Sequence, residues 1–349
     1  MPDGARDFHR GLPGFAATPL TEVPGLAAEL GVGRVFVKDE SSRLGLPAFK
    51  VLGASWAVHR ALASRALASR TAAAGNPVTL VTATDGNHGR AVARVARLLG
   101  QHAHVLVPDG VHPAAVAAIA AEGAQVTRVA GDYDEAVRQA AAAAAEPAAM
   151  LIQDTAWPGY EQIPGWIVEG YGTLCAEIDE QLAAAGAGPP DLVGVPVGVG
   201  SLAQAVVTHY RSHPAGTAPA VLAVEPEAAA WVGASLTRGE PVSVATSETI
   251  MAGLNCGTPS SLAWPCLRDG LDAAVTVTDA ESARAAADLA AAGVPAGPCG
   301  AAPLAGLRAA LTGDGGGQRR AQLGLPPAAS IVLLSTEGSA ANPLVPPGG

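Results

Sequence analysis

Apolar positions along the chain fall into short, β-branched runs separated by longer Ala-rich stretches of helical character. The runs predict strands over residues 34–38, 78–82, 104–107, 125–129, 192–196, 220–224, 274–278 and 330–335. Between them the pattern predicts helices over 51–68, 88–99, 113–121, 134–145, 160–185, 202–210 and 279–292. Strand and helix alternating in this way give an α/β chain, with parallel sheets covered by helices on both faces. The alanine run over 140–145 reads as surface helix because Tyr133, Val137 and Met150 flank it, whereas 313–317 and the tail 343–349 read as loops.

At 349 residues the chain is long enough for two domains or one large α/β unit. Aromatics contribute only 4 % against 49 % hydrophobic residues overall, so the core must pack on Ala, Val and Leu. A net charge of −10 argues against nucleic acid and against anionic membranes, both of which select clustered Lys and Arg. Residues 1–14 are polar and lack the apolar centre of a secretory signal, and no apolar stretch reaches membrane-spanning length. Cys175, Cys256, Cys266 and Cys299 lack paired spacing, which predicts neither disulfides nor a zinc site and fits a reducing cytoplasm. The eight histidines form no ligand cluster in the sequence, so no metal is expected.

Lysine usage is sharper. Of 21 basic residues only Lys38 and Lys50 are lysine. Arginine stays protonated and cannot form an imine, so a lysine retained in such a chain points to amine chemistry. Lys50 follows the turn residues Gly45 and Pro47 and precedes a helix, where the positive helix end is expected to ease loss of its proton.

Three loops add to it. Thr84-Asp85-Gly86-Asn87-His88-Gly89 joins a strand to a helix; Thr84 and the amides around Gly86 suit a substrate carboxylate, and Asn87 offers a neutral donor. The plainer alternative is a helix cap by Asp85 or Asn87. Gly198-Val199-Gly200-Ser201 follows an apolar strand and offers backbone N–H groups and a hydroxyl to a phosphate. The same loop, with Ala203 and Glu225, also matches a dinucleotide fingerprint, which keeps a nicotinamide-dependent oxidoreductase open as an alternative. Ser335-Thr336-Glu337-Gly338 ends the last strand with hydroxyls suited to a pyridine nitrogen.

Together these stretches resemble the fold-type II pyridoxal 5′-phosphate (PLP) enzymes, the group of threonine dehydratase, serine racemase and the tryptophan synthase β-subunit. Within it they are similar to the diaminopropionate ammonia-lyases. The resemblance runs from Ala17-Thr18-Pro19-Leu20 to Gly338 and includes Lys38-Asp39-Glu40, Ala48-Phe49-Lys50, Gln153-Asp154-Thr155-Ala156-Trp157 and Thr249-Ile250-Met251-Ala252-Gly253-Leu254. It implies a large parallel-sheet domain (1–74 and 161–349) with a smaller α/β domain (75–160) inserted, and PLP in the cleft between them. It implies Lys50 as the Schiff-base lysine, Asn87 at the cofactor's phenolate oxygen, and Gly198, Val199, Gly200 and Ser201 around its phosphate. Ser335 or Thr336 would meet the ring nitrogen, with neither preferred.

Asp85 stands where dehydratases usually carry Ser. A carboxylate there, joined by Asp154, suits a substrate with a second ammonium, and Thr84 and Gly86 complete the substrate contacts. The implied reaction is α,β-elimination of 2,3-diaminopropionate to pyruvate and ammonia, with Lys50, Asp85 and Asp154 as catalytic groups, by a homodimer acting on a small amino acid. The alternatives are a serine/threonine dehydratase, a β-replacement synthase or a non-catalytic binding protein on the same scaffold. Departures from the family pattern are Pro47 ahead of Ala-Phe-Lys, the absence of a Glu-Ser pair in Gly297-Pro298-Cys299-Gly300-Ala301-Ala302, and a short N-terminal region.

Overall fold

The structure, a computed structural model, describes residues 4–68, 77–214 and 218–341. Its strands are β1 (Leu20–Glu22), β2 (Arg34–Asp39), β3 (Thr79–Ala83), β4 (His102–Pro108), β5 (Gln125–Val129), β6 (Ala149–Leu151), β7 (Leu192–Pro196), β8 (Ala220–Pro226), β9 (Ala273–Val277) and β10 (Ser330–Ser335). Its helices begin with α1 (Gly4–Arg10), α2 (Pro24–Leu30), α3 (Val51–Ala68), α4 (Asn87–Leu98), α5 (Pro113–Ala121), α6 (Tyr133–Ala143) and α7 (Gln162–Ala184). They continue with α8 (Ser201–Arg211), α9 (Trp231–Arg238), α10 (Ala263–Gly270), α11 (Asp279–Ala291), α12 (Pro298–Leu311) and α13 (Gly316–Gln322).

Two sheets result. The larger has the order β1-β2-β10-β7-β8-β9, parallel except for the antiparallel edge strand β1. The smaller, β5-β4-β3-β6, is wholly parallel and lies in sequence between β2 and β7. All five residues of β7 are buried, as are all but the first of β2, β8 and β10. That is why they read as continuous apolar runs: helices cover both faces of a parallel sheet. The eight predicted strands agree with their observed counterparts to within two residues, and the 51–68 and 113–121 helices agree with α3 and α5 at both ends. The three-residue strands β1 and β6 are too short to leave a pattern and were missed.

Differences cluster where turn residues mask helical segments. α12 was hidden by Pro298, Gly300 and the internal Pro303, and α10 by Pro265. The 313–317 stretch is not loop throughout, because Gly316 opens α13. The predicted 343–349 loop lies outside the described residues. In α6, Ala136 and Ala140 are buried, so the alanine run packs on the small sheet as helix as far as Ala143.

One buried ionic network braces the larger unit behind the cleft. Lys38, fully buried on β2, donates to the Glu177 carboxylate at 2.7 Å and to Gln181 and the Thr18 carbonyl at 2.8 Å each. Arg43, equally buried, bridges Glu40 and Glu177. Each buried charge thus has an opposite partner, which is the condition for burying it at all. α1 is fastened by His9, whose Nε2 donates to the Leu52 carbonyl (2.9 Å) while Nδ1 accepts from the Thr173 hydroxyl (2.8 Å).

Candidate active site

The carboxyl ends of parallel strands are where open α/β sheets collect ligands, and here five of them converge. Lys50 lies in the segment after β2, Thr84 to His88 after β3, Asp154 after β6, Gly198 to Ser201 after β7, and Thr336 and Glu337 after β10. All of these residues line one cleft. Lys50 immediately precedes α3, fixed by its neighbour Phe49, which packs on Tyr171 of α7 with ring centroids 4.7 Å apart.

The Lys50 ammonium donates to Asp154 Oδ2 at 2.6 Å. Burial alone would lower the lysine's proton affinity, but the Asp154 charge reverses this and raises it. The expectation that the helix end would ease deprotonation is therefore corrected: a carboxylate in contact outweighs a partial helix charge. Burial would likewise raise Asp154, yet Lys50 holds it down at about 2. Asp85 behaves oppositely: burial, reinforced by the nearby Asp154 charge and only partly opposed by Lys50, raises it to about 7. Two carboxyls in one cleft thus differ widely in proton affinity, the condition for an acid–base division of labour.

Neither Asp85 nor Asn87 caps α4 through its side chain. The loop is closed instead by Thr84, whose hydroxyl oxygen accepts from Gly86 N (2.9 Å) and Gly89 N (3.0 Å). This frees Asp85 for the cleft. Asn87 donates through Nδ2 to Glu337 Oε2 (2.5 Å), which fixes its orientation and leaves its second N–H available. Glu337, a pocket residue that sequence reading passed over, also accepts from Cys299 N at the start of α12 (3.3 Å). The Gly297-to-Ala302 segment thus meets a carboxylate from the turn after β10 rather than one of its own. Tyr133, His88, Cys256 and Cys299 are further lining residues without a sequence signal of their own.

At Gly198 to Ser201 the first intrahelical bond of α8 runs from Gln204 N to Gly200 O, so the N–H groups ahead of it have no partner within the helix. Gly200 adopts φ +101°, and a Cβ there would stand 2.7 Å from the Ala263 Cβ. A Cβ at Gly198 would meet the Gly253 carbonyl at 2.9 Å. The cradle therefore has free donors and room only for glycine, which fits a phosphate. The Ser201 hydroxyl donates to the Asp154 carbonyl (2.6 Å), so the backbone amides rather than this hydroxyl are the donors facing the cleft. At the other end Thr336 lines the cleft, and the fully buried Ser335 hydroxyl has no protein partner among the described residues. Glu225, the acid a dinucleotide reading needs, spends both oxygens on Val232 N and Gly233 N at 2.8 Å each, and so cannot bind a ribose.

The pattern of the pyridoxal-phosphate dependent enzyme family matches residues 12–326. The chain belongs to this family. Its cofactor is accordingly PLP. A diaminopropionate ammonia-lyase of Salmonella typhimurium is 40 % identical over 292 residues, covering 79 % of this chain and 72 % of that one. The Escherichia coli K12 diaminopropionate ammonia-lyase is 38 % identical over 274 residues, 76 % and 69 % of the two chains. A crystal structure of the E. coli enzyme with an aminoacrylate-PLP azomethine reaction intermediate superposes with a TM-score of 0.87 at 34 % identity, covering 96 % of this chain and 88 % of that one. The fold-type II architecture expected from the sequence is the one observed, and no described helix is long and apolar enough to cross a membrane.

Proposed function

We propose that this PLP enzyme eliminates ammonia from 2,3-diaminopropionate, giving pyruvate and ammonia, with Lys50 as the attachment point of the cofactor. The observation that carries the reading is the pair of acids beside Lys50: Asp154 in contact with its ammonium, and Asp85 lining the same cleft. A substrate with two ammonium groups meets a carboxylate for its distal nitrogen, which a hydroxy amino acid does not need. The relatives that match over most of the chain carry the same activity in their names.

PLP, when bound, withdraws electrons from the substrate and acidifies its α-proton. The amides at the start of α8 bind the phosphate, Asn87 meets the phenolate oxygen, and Ser335 or Thr336 meets the ring nitrogen. Lys50 Nζ and Asp85 are the bases toward the α-proton. The Thr84 hydroxyl, which keeps its proton to donate, orients the substrate carboxylate beside Gly86, whose own N–H is spent on Thr84. Asp154 is the reservoir for the Lys50 proton. Once that ammonium charge is gone, the strongest hold on the Asp154 carboxyl is lost, leaving burial to raise it against the weaker pull of His88, and it can keep a proton to hand to the departing amine. The reading includes residues 1–74 and 161–349 as one domain with 75–160 inserted, and a cytoplasmic homodimer as the family resemblance implies.

A panel of D- and L-2,3-diaminopropionate, L-serine and L-threonine, scored for 2-oxo acid and ammonia, tests it. Diaminopropionate is expected to exceed serine and threonine by about 100-fold in kcat/KM, within the roughly 1–3 kcal/mol that leaving a buried polar group unsatisfied costs. Equal or faster turnover of threonine would assign the chain to the dehydratases instead.

A further inference from the structure

Away from the cleft, the fold brings together three side chains that the sequence keeps apart. His209 lies in the last turn of α8, and His213 follows it by four residues, just past the Ser212 cap. Four residues is the spacing that places two imidazoles on one side of a helix. Asp179 of α7 faces both. His209 Nε2 stands 2.6 Å, and His213 Nε2 3.9 Å, from Asp179 Oδ2. The ligand atoms of all three residues lie within 4.8 Å of one another. Absence of a histidine cluster in the sequence thus does not carry over to the structure.

We propose that Asp179, His209 and His213 form a binding site for a first-row divalent transition cation of the zinc type. Zinc bonds to imidazole nitrogen and carboxylate oxygen are about 2.0–2.2 Å, which puts tetrahedral ligand atoms ~3.4 Å apart. The observed 2.6 and 3.9 Å separations straddle that value, so small side-chain rotations close the site. Two neutral imidazoles and one carboxylate are a donor set that suits zinc and nickel and disfavours magnesium and calcium. The three side chains are 14–34 % exposed, which leaves the fourth position to water and lets the ion exchange with solvent.

The site is a staple rather than a second catalytic centre. α8 runs from the phosphate cradle at Ser201 to His209 and Arg211. Its 11 residues put the cation ~16 Å from the cradle. A cation there ties the far end of the cradle helix to α7 and binds the folded state selectively, so stability must rise with its concentration.

The test is a titration of the PLP-loaded enzyme with Zn²⁺ alone, by calorimetry and by thermal unfolding, repeated with Co²⁺ for its visible ligand-field bands. The parent is expected to bind one ion per chain and to unfold at higher temperature as zinc rises. His213→Gln and Asp179→Asn are expected to weaken binding by at least about tenfold and to lose the cobalt spectrum. His213→Gln should leave kcat/KM without added metal unchanged. No saturable binding by the parent would overturn the proposal. So would stoichiometric binding that survives in both variants, which would place the ion at the cleft cysteines Cys256 and Cys299. Should either variant fail to fold, the cobalt spectrum of the parent decides by itself, because thiolate ligation gives an intense charge-transfer band that imidazole and carboxylate lack.

Discussion

Asp85 and Asp154 hang from different segments of the small sheet and reach one cleft, yet Lys50 touches only the second. Asp154 stays ionised because an ammonium lies at 2.6 Å, while Asp85, raised to about 7, titrates within the working range. A base with that affinity is half-protonated near neutrality, so turnover depending on it should climb with pH and level off above about 7. In the proposed function Lys50 and Asp85 are separate bases toward the α-proton, and on opposite faces of the substrate Lys50 would serve the L-enantiomer and Asp85 the D-enantiomer. Asp85→Asn is therefore expected to cut turnover of D-2,3-diaminopropionate by about 10²–10⁴-fold, to reduce the L-enantiomer far less, and to flatten the pH rise for the D-enantiomer. Measuring kcat/KM for both enantiomers against pH checks all three effects. Equal small losses would leave Asp85 without a base role. Asn87 and Glu337 show how much a residue's setting escapes its sequence: they stand 250 positions apart, and their hydrogen bond follows only from β3 and β10 ending at the same cleft.

α1 illustrates the same point for an element. Its seven residues carry little hydrophobic pattern, and beside the packing of Ala5 and Phe8 it is held by His9, fully buried between Thr173 of α7 and the Leu52 carbonyl in the first turn of α3. Burial drives His9 down to about 4, against an opposing pull from that carbonyl. Its folded affinity lies below the unfolded value of 6.5, so the unfolded chain binds the extra proton. The neutral imidazole's contribution is whole above about 6.5 and is lost as pH falls toward about 4, at most about 3 kcal/mol over that window. Chemical denaturation from pH 7 to 4 should show this loss in the parent and a shallower slope in His9→Gln. α3, α5 and β7 were legible because each carries an unbroken signal: alanine-rich helix between turns, proline at the first helical position, five consecutive buried residues. α12 was not, because its Pro298, Gly300 and Pro303 are turn residues locally and helical only in context. There the missing Pro303 amide costs one bond, and packing of Leu304, Leu307 and Leu311 into the core beneath β7 and β10 compensates.

At the scale of the molecule, the cleft is an emergent property of two sheets whose strand ends meet. The motifs that line it were readable as motifs, and the family resemblance ordered them, whereas the Lys50–Asp154 contact and the Asp179–His209–His213 grouping needed the fold. The Lys38 network has a consequence of a different kind. Lys38 is enclosed by Glu177, Gln181 and the Thr18 carbonyl, and Lys50 sits in the cleft, so the protein presents no lysine on its outer surface. Amine-directed acylating reagents therefore have two lysine targets that open on separate occasions. With Lys50 as the proposed attachment point, it should react once PLP is stripped from the folded protein, slowed by the Asp154 contact that keeps its amine protonated, and Lys38 only when β2 comes apart from α7. Peptide mass mapping after brief acylation across a denaturant series would record the two separately, making one residue a gauge of cofactor occupancy and the other a clock for global opening. Acylation of Lys38 in native enzyme would mean that the ionic core breathes on the time scale of the reagent.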